Sequence, residues 1–94
     1  MALRVVFDVD GCLIDGDDHP RDEVIRLLRA LKGVGVYVVV HSGGGKDYAE
    51  MWVRRLWLEP YVDECMAKHR PPYNGVDISV DDETTRYGTV QVQV

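Results

Sequence analysis

The chain has 94 residues, 46% hydrophobic and 29% charged, which describes a single globular domain over 1–94 and excludes a disordered chain. Its net charge of -5, from 11 basic and 16 acidic residues, gives no general attraction to phosphate backbones or anionic membranes, while leaving room for a small local basic patch. Two cysteines, Cys12 and Cys65, no signal-like leader and no membrane-length apolar run give the expectation of a cytoplasmic protein without a membrane partner.

Val5-Val6-Phe7 starts a strand that reads as buried on both faces. Asp8 and Asp10 then interrupt it, and Gly11 follows. Two carboxylates two residues apart project to the same side of an ideal strand. At about 4 Å they repel by roughly 4 kcal/mol at an effective dielectric near 20, so a buried pair needs a cation or a shared proton. Gly11 to Asp18 reads as a compact loop above the strand end. Pro20 fits the first position of a helix, with Asp22 and Glu23 in its first turn and Val24, Leu27, Leu28 and Leu31 at helical spacing. Gly33 is expected as its C-terminal cap.

Val34 to Val40 predicts a second buried strand, running into His41-Ser42-Gly43-Gly44-Gly45. A hydroxyl and successive glycines before a new helix suit backbone N–H groups that meet an anion; a plain tight turn has the same composition. The stretch is not a Walker-type loop, because Asp47 follows Lys46 where Ser or Thr is required. His41 reads as structural, with a base as the other role open to it. Lys46 to Leu58 predicts the second helix, with Ala49, Trp52, Val53 and Leu56 facing inward and Arg54 and Arg55 facing water.

Pro60 ends that helix, and Tyr61 to Met66 predicts a third strand. Lys68 follows, its direction restricted by the nearby Pro71 and Pro72. Val76 to Val80 predicts a fourth strand running into Asp81-Asp82-Glu83. Thr89 to Val94 alternates in the manner of a half-exposed edge strand. Strands alternating with helices predict an α/β, three-layer, Rossmann-like and mostly parallel sheet. Ligands of such sheets gather at the carboxyl ends of the strands, where Asp8, Asp10, Ser42, Gly43, Lys68, Asp81 and Asp82 all fall. Four carboxylates around one hydroxyl and one amine suit Mg2+ with a phosphate. Zinc would want His or Cys in ligand spacing.

Asp8-Val9-Asp10-Gly11-Cys12-Leu13 resembles the first motif of the haloacid dehalogenase (HAD) superfamily of aspartate-nucleophile phosphohydrolases. Ser42 resembles the second motif, Lys68 the third, and Asp81-Asp82 the fourth, in the family's order. The resemblance implies that Asp8 is the nucleophile and Asp10 the general acid and base. It further implies that Ser42, Gly43 and Lys68 hold the phosphoryl group. Asp8, the Asp10 carbonyl and Asp81 or Asp82 would hold Mg2+.

The chain departs from the family in lacking both a cap domain and a helix between the third and fourth strands. The expectation is therefore a minimal HAD-like phosphatase with an open mouth, acting on a large phosphorylated substrate, a phosphoprotein or a nucleic-acid end, without an extended nucleic-acid track. The alternative is a catalytically weak metal-binding interaction module. A cysteine phosphatase fails on spacing, since Cys65 and Arg70 are one residue too close and Cys12 has Asp18 where Arg is required.

Overall fold

The valines around Phe7 and Val39 form the two central strands, because branched side chains favour a pleated surface that is covered on both sides. The computed structural model describes residues 2–94. In chain order the elements are β1 (Arg4–Asp8), α1 (Asp22–Gly33), β2 (Tyr37–Ser42), α2 (Lys46–Arg55), a 3-10 turn (Glu59–Tyr61), β3 (Glu64–Ala67), β4 (Ile78–Asp81) and β5 (Val90–Gln93). The five strands form one sheet in the order β3-β2-β1-β4-β5, and every neighbouring pair is parallel. The α/β, Rossmann-like expectation holds at this level, and β5 lies at an edge as its alternating sequence predicts.

The two faces of the sheet are covered differently. Val5, Phe7, Val38, Val40 and Val80 pack against Val24, Ile25 and Leu28 of α1 and against Ala49, Trp52 and Val53 of α2. Val6 and Val39, which point the other way, meet Tyr73 and Tyr87. Both helices therefore share one face, and a loop layer covers the opposite one, where a three-layer arrangement needs helices. The two loops, 68–77 and 82–89, explain this. They carry Pro71, Pro72, Gly75 and Gly88, which disfavour a helix, and each contributes one buried tyrosine as a substitute for a helical face. The β3-to-β4 link passes over β2 and β1 on this face, so ten residues serve where parallel crossovers normally use a helix.

Several boundaries differ from expectation. α2 stops at Arg55, short of Leu58, β3 starts at Glu64, past Tyr61, and β4 starts at Ile78, past Val76. Three differences around α1 have local reasons. Pro20 precedes α1 and pairs with Ile14 in an isolated bridge, leaving Arg21 as the N-cap. Gly33 is the last residue of α1, and the left-handed residue that closes the helix is Gly35, with φ of 89°. The Gly35 N–H donates to the Lys32 carbonyl at 3.1 Å and the Val36 N–H to the Leu31 carbonyl at 3.1 Å, a Schellman closure. This closure uses Val34 to Val36, so β2 starts at Tyr37 and extends through His41 and Ser42.

Candidate active site

β1 and β4 are adjacent and parallel, so their carboxyl ends bring Asp8 and Asp81 together above the sheet. Both lie on the loop-covered side, at 5% and 0% exposure. Lys68, one residue past β3, reaches across from two strands away. Its Nζ lies 3.3 Å from Asp8 Oδ1 and 3.3 Å from Asp81 Oδ2, and 5.3 Å over the Tyr87 ring. A backbone bond from Lys68 N–H to the Ser42 carbonyl at 2.9 Å fixes where the side chain starts. One ammonium does not offset two buried carboxylates. Burial and the charge of Asp81 raise the Asp8 carboxyl to about 7, against the lowering effect of Lys68. Lys68 itself is held charged: Asp8 and Asp81 push its pKa up by more than burial lowers it.

Asp10 lies outside the strand and is exposed, because the chain turns after Val9 and Gly11 takes a left-handed φ of 78°. The expected same-side strand pair of Asp8 and Asp10 therefore does not form. Asp10 Oδ1 instead accepts a hydrogen bond from the Tyr48 hydroxyl at 2.9 Å. Burial and this bond raise the Tyr48 pKa, so the phenol stays protonated and donates. Tyr48 is aimed from the first turn of α2 by close packing on Gly44, where a Cβ would approach the ring to 3.0 Å.

Asp82 sits opposite. A Cβ on Gly11 would fall 2.1 Å from Asp82 Oδ2, so the carboxylate occupies the space that the missing side chain leaves. Burial and the neighbouring Asp81 raise its pKa. Asp8, Asp10, Gly11, Gly43, Lys68 and Asp82 all line one open cleft of about 480 Å³, closed on one side by the Asp15–Asp18 turn. Arg21 braces this wall, its Nη1 donating to the Gly11 carbonyl at 2.7 Å.

Two expected site residues lie behind the cleft. Ser42 is fully buried, and its hydroxyl accepts the Gly44 N–H at 3.0 Å, which shapes the glycine turn while Gly43 provides the lining. Asp81 is fully buried too, taking Lys68 on one oxygen and the Glu83 N–H on the other at 3.2 Å.

His41 lies under Asp81 on the loop-covered face, fully buried. Its Nδ1 is 2.8 Å from the Tyr73 hydroxyl, and that hydroxyl also accepts the His69 N–H at 3.1 Å. With the phenol as donor to Nδ1, the neutral imidazole carries its hydrogen on Nε2, the tautomer that also turns an N–H toward Asp81. Nε2 has no hydrogen-bond partner and lies 4.0 Å from Asp81 Oδ2, so its N–H faces a carboxylate. Burial, Lys68 and His69 lower the His41 pKa to about 3, so the ring is neutral. Asp8, His41 and Asp81 bring potential ligand atoms within 4.8 Å of one another, yet the Nε2 hydrogen and the Lys68 ammonium occupy that space with positive charge. A second group, Asp15, Asp17 and His19, is an exposed turn in which Asp15 Oδ1 accepts two backbone N–H groups. Tyr48, Arg21, Tyr73 and Tyr87 had no sequence signal, because their roles come from loops and a helix face that only the tertiary structure brings to the site.

Comparison with family models and with curated proteins found no match for this chain.

Proposed function

We propose that the chain is a capless, Mg2+-dependent phosphatase of the HAD type, hydrolysing a phosphate monoester through an aspartyl-phosphate on Asp8. The observation that carries this reading is the convergence of Asp8, Asp10, Gly43, Lys68 and Asp82 on one cleft at the carboxyl ends of parallel strands. The donor set fits a hard cation: all-oxygen ligands, with the Asp8 carboxyl raised by burial and by the charge of Asp81. Asp8, the Asp10 backbone carbonyl and Asp82 would hold Mg2+, which leaves the Asp10 carboxyl to its acid and base role beside Tyr48. Asp82 is the better carboxylate of the adjacent pair, because both oxygens of Asp81 already have partners. When bound, the cation neutralises charge on the phosphoryl oxygens and on Asp8.

The protein's own groups then divide the reaction. Lys68 and the N–H groups around Gly43 orient the phosphoryl group. An Asp8 oxygen attacks phosphorus, the ester P–O bond breaks, and Asp10 gives its proton to the leaving oxygen. Asp10, now a carboxylate held by Tyr48, takes a proton from water. That water attacks phosphorus, and the Asp8–phosphorus bond breaks to release inorganic phosphate. His41 stays outside this sequence and steadies Asp81 from below.

The test is phosphate release from an aryl phosphate with and without Mg2+. Asp8→Asn should abolish turnover, since the amide does not form the acyl-phosphate. Asp10→Asn should slow it by about 10²–10⁴-fold, the usual size of a lost acid–base step. Asp8→Asn activity close to the parent rejects the mechanism. With an open mouth, small esters should saturate poorly, and a phosphopeptide or phosphorylated oligonucleotide end should show the better kcat/KM. The alternative, a metal-binding module without turnover, predicts Mg2+ binding with no phosphate release from any of these.

A further inference from the structure

Trp57 is 82% exposed and has a left-handed φ of 59°, immediately after α2. The turn is a second Schellman closure: the Trp57 N–H donates to the Arg54 carbonyl at 3.1 Å and the Leu58 N–H to the Val53 carbonyl at 2.9 Å. Gly35 fills the equivalent position after α1 without strain. A residue with a Cβ is strained there. The strain has no return in packing, since the indole stands outside both core clusters whereas Trp52 is part of one.

Beside Trp57 runs an open groove of about 420 Å³ between the exposed side of α1 and the end of α2. Arg26, Arg29 and Arg55 line it, against a single carboxylate, Asp22. None of the three arginines forms an ion pair among the described residues, although the chain holds 16 acidic side chains. Two of the guanidiniums are held by aromatic rings, which orient them and leave their charge available. Arg29 lies 5.4 Å over Tyr61 and Arg55 lies 5.3 Å over Trp52. An acidic protein thus gathers three unpaired guanidiniums and an exposed, strained indole on one surface.

We propose that this groove binds a short single strand of nucleic acid, with Trp57 stacking on a base and Arg26, Arg29 and Arg55 taking phosphates. Stacking on an aromatic side chain strengthens binding roughly tenfold or more per base, which gives the strained indole a function. An acidic peptide would satisfy the guanidiniums and leave the indole without a reason. Three phosphate contacts make a footprint of a few nucleotides, in keeping with a net charge that disfavours a long track. The groove and the Asp8 cleft share no lining residue, and the binding does not rest on the phosphatase reading.

The experiment uses the full chain in metal-free buffer and a labelled short oligothymidylate without a terminal phosphate, so binding is read without turnover. Saturable anisotropy with quenching of the exposed tryptophan is expected. The logarithmic salt slope should be near -2, about 0.7 for each of three phosphates. Trp57→Gly should weaken binding about tenfold or more while raising Tm by several degrees, which separates lost stacking from lost folding. Arg26→Gln with Arg29→Gln should flatten the slope by about 1.4. No binding overturns the proposal even if the chain hydrolyses phosphate esters. Unchanged affinity in Trp57→Gly overturns it, and so does an oligoglutamate that competes as well as the oligonucleotide. Binding without any phosphatase activity upholds the groove and removes only the proposed reaction.

Discussion

The carboxylate of Asp82 occupies the space where a side chain on Gly11 would stand, 2.1 Å from the position of its Cβ. The turn that exposes Asp10 and the strand end that carries Asp82 are thereby locked against each other. Gly11→Ala should destabilise the protein on two counts, the left-handed φ and the displaced carboxylate. The strain alone is roughly 1–2 kcal/mol, so a fall in Tm on the order of 10 °C is expected. Gly16→Ala, where a Cβ meets nothing within 4 Å, serves as the control and should melt close to the parent. Equal Tm values for the two variants would show that the contact does not form in solution.

Mg2+ gives a second thermal test. At 100 times its dissociation constant, a ligand that binds only the folded state stabilises it by about 2.7 kcal/mol. That corresponds to a Tm increase on the order of 10 °C at this size. Asp82→Asn should remove most of the increase, since Asp82 faces the cleft. Asp81→Asn should leave the Mg2+ shift largely in place, since both Asp81 oxygens already have partners. Full retention of the Mg2+ shift in Asp82→Asn places the cation elsewhere.

The raised Asp8 pKa makes stability pH-dependent with a definite sign. A carboxyl whose pKa rises from 3.8 unfolded to about 7 folded keeps its proton longer in the native state. Stability therefore falls as pH rises between those values and is flat beyond them. Asp8→Asn has no such group. In metal-free buffer it should melt higher than the parent at pH 7.5, with the gap closing toward pH 4. Mg2+ favours the carboxylate, so it should also close the gap at pH 7.5. A difference between the two proteins that does not change with pH would reject the shift.

His41 titrates in the opposite sense. Its folded pKa of about 3 lies below the ordinary 6.5, so stability is lost as pH falls from 6.5 toward 3 and is unaffected above. The ring should be neutral at pH 6, with its hydrogen on Nε2. Side-chain 15N NMR reads this directly. Tyr73→Phe removes the hydroxyl that sets the tautomer and should shift the ring toward the Nδ1–H form or a mixture. An Nδ1–H tautomer in the parent would reverse the assignment.

Much of this protein is legible along the chain because it is local. Branched runs such as Val38 to Val40 mark buried strands, and the carboxylates of Asp8 and Asp82 announce themselves by following such runs. A helix stop next to glycine is readable too, although Gly33 and Gly35 differ only in which one must turn left-handed, a matter of one hydrogen-bond register. What tertiary structure decided is where separated pieces meet. Tyr48 reaches Asp10 across 38 residues, and Lys68 reaches Asp8 only because β3 lies two strands from β1. The division of labour between Asp81 and Asp82 depends on which side of β4 faces the loop layer, a layer built by two tyrosines that no periodicity predicts. Hydrophobic pattern specifies which residues leave water; the contacts they make inside depend on strand order and loop path, which are set by the packing of the whole chain.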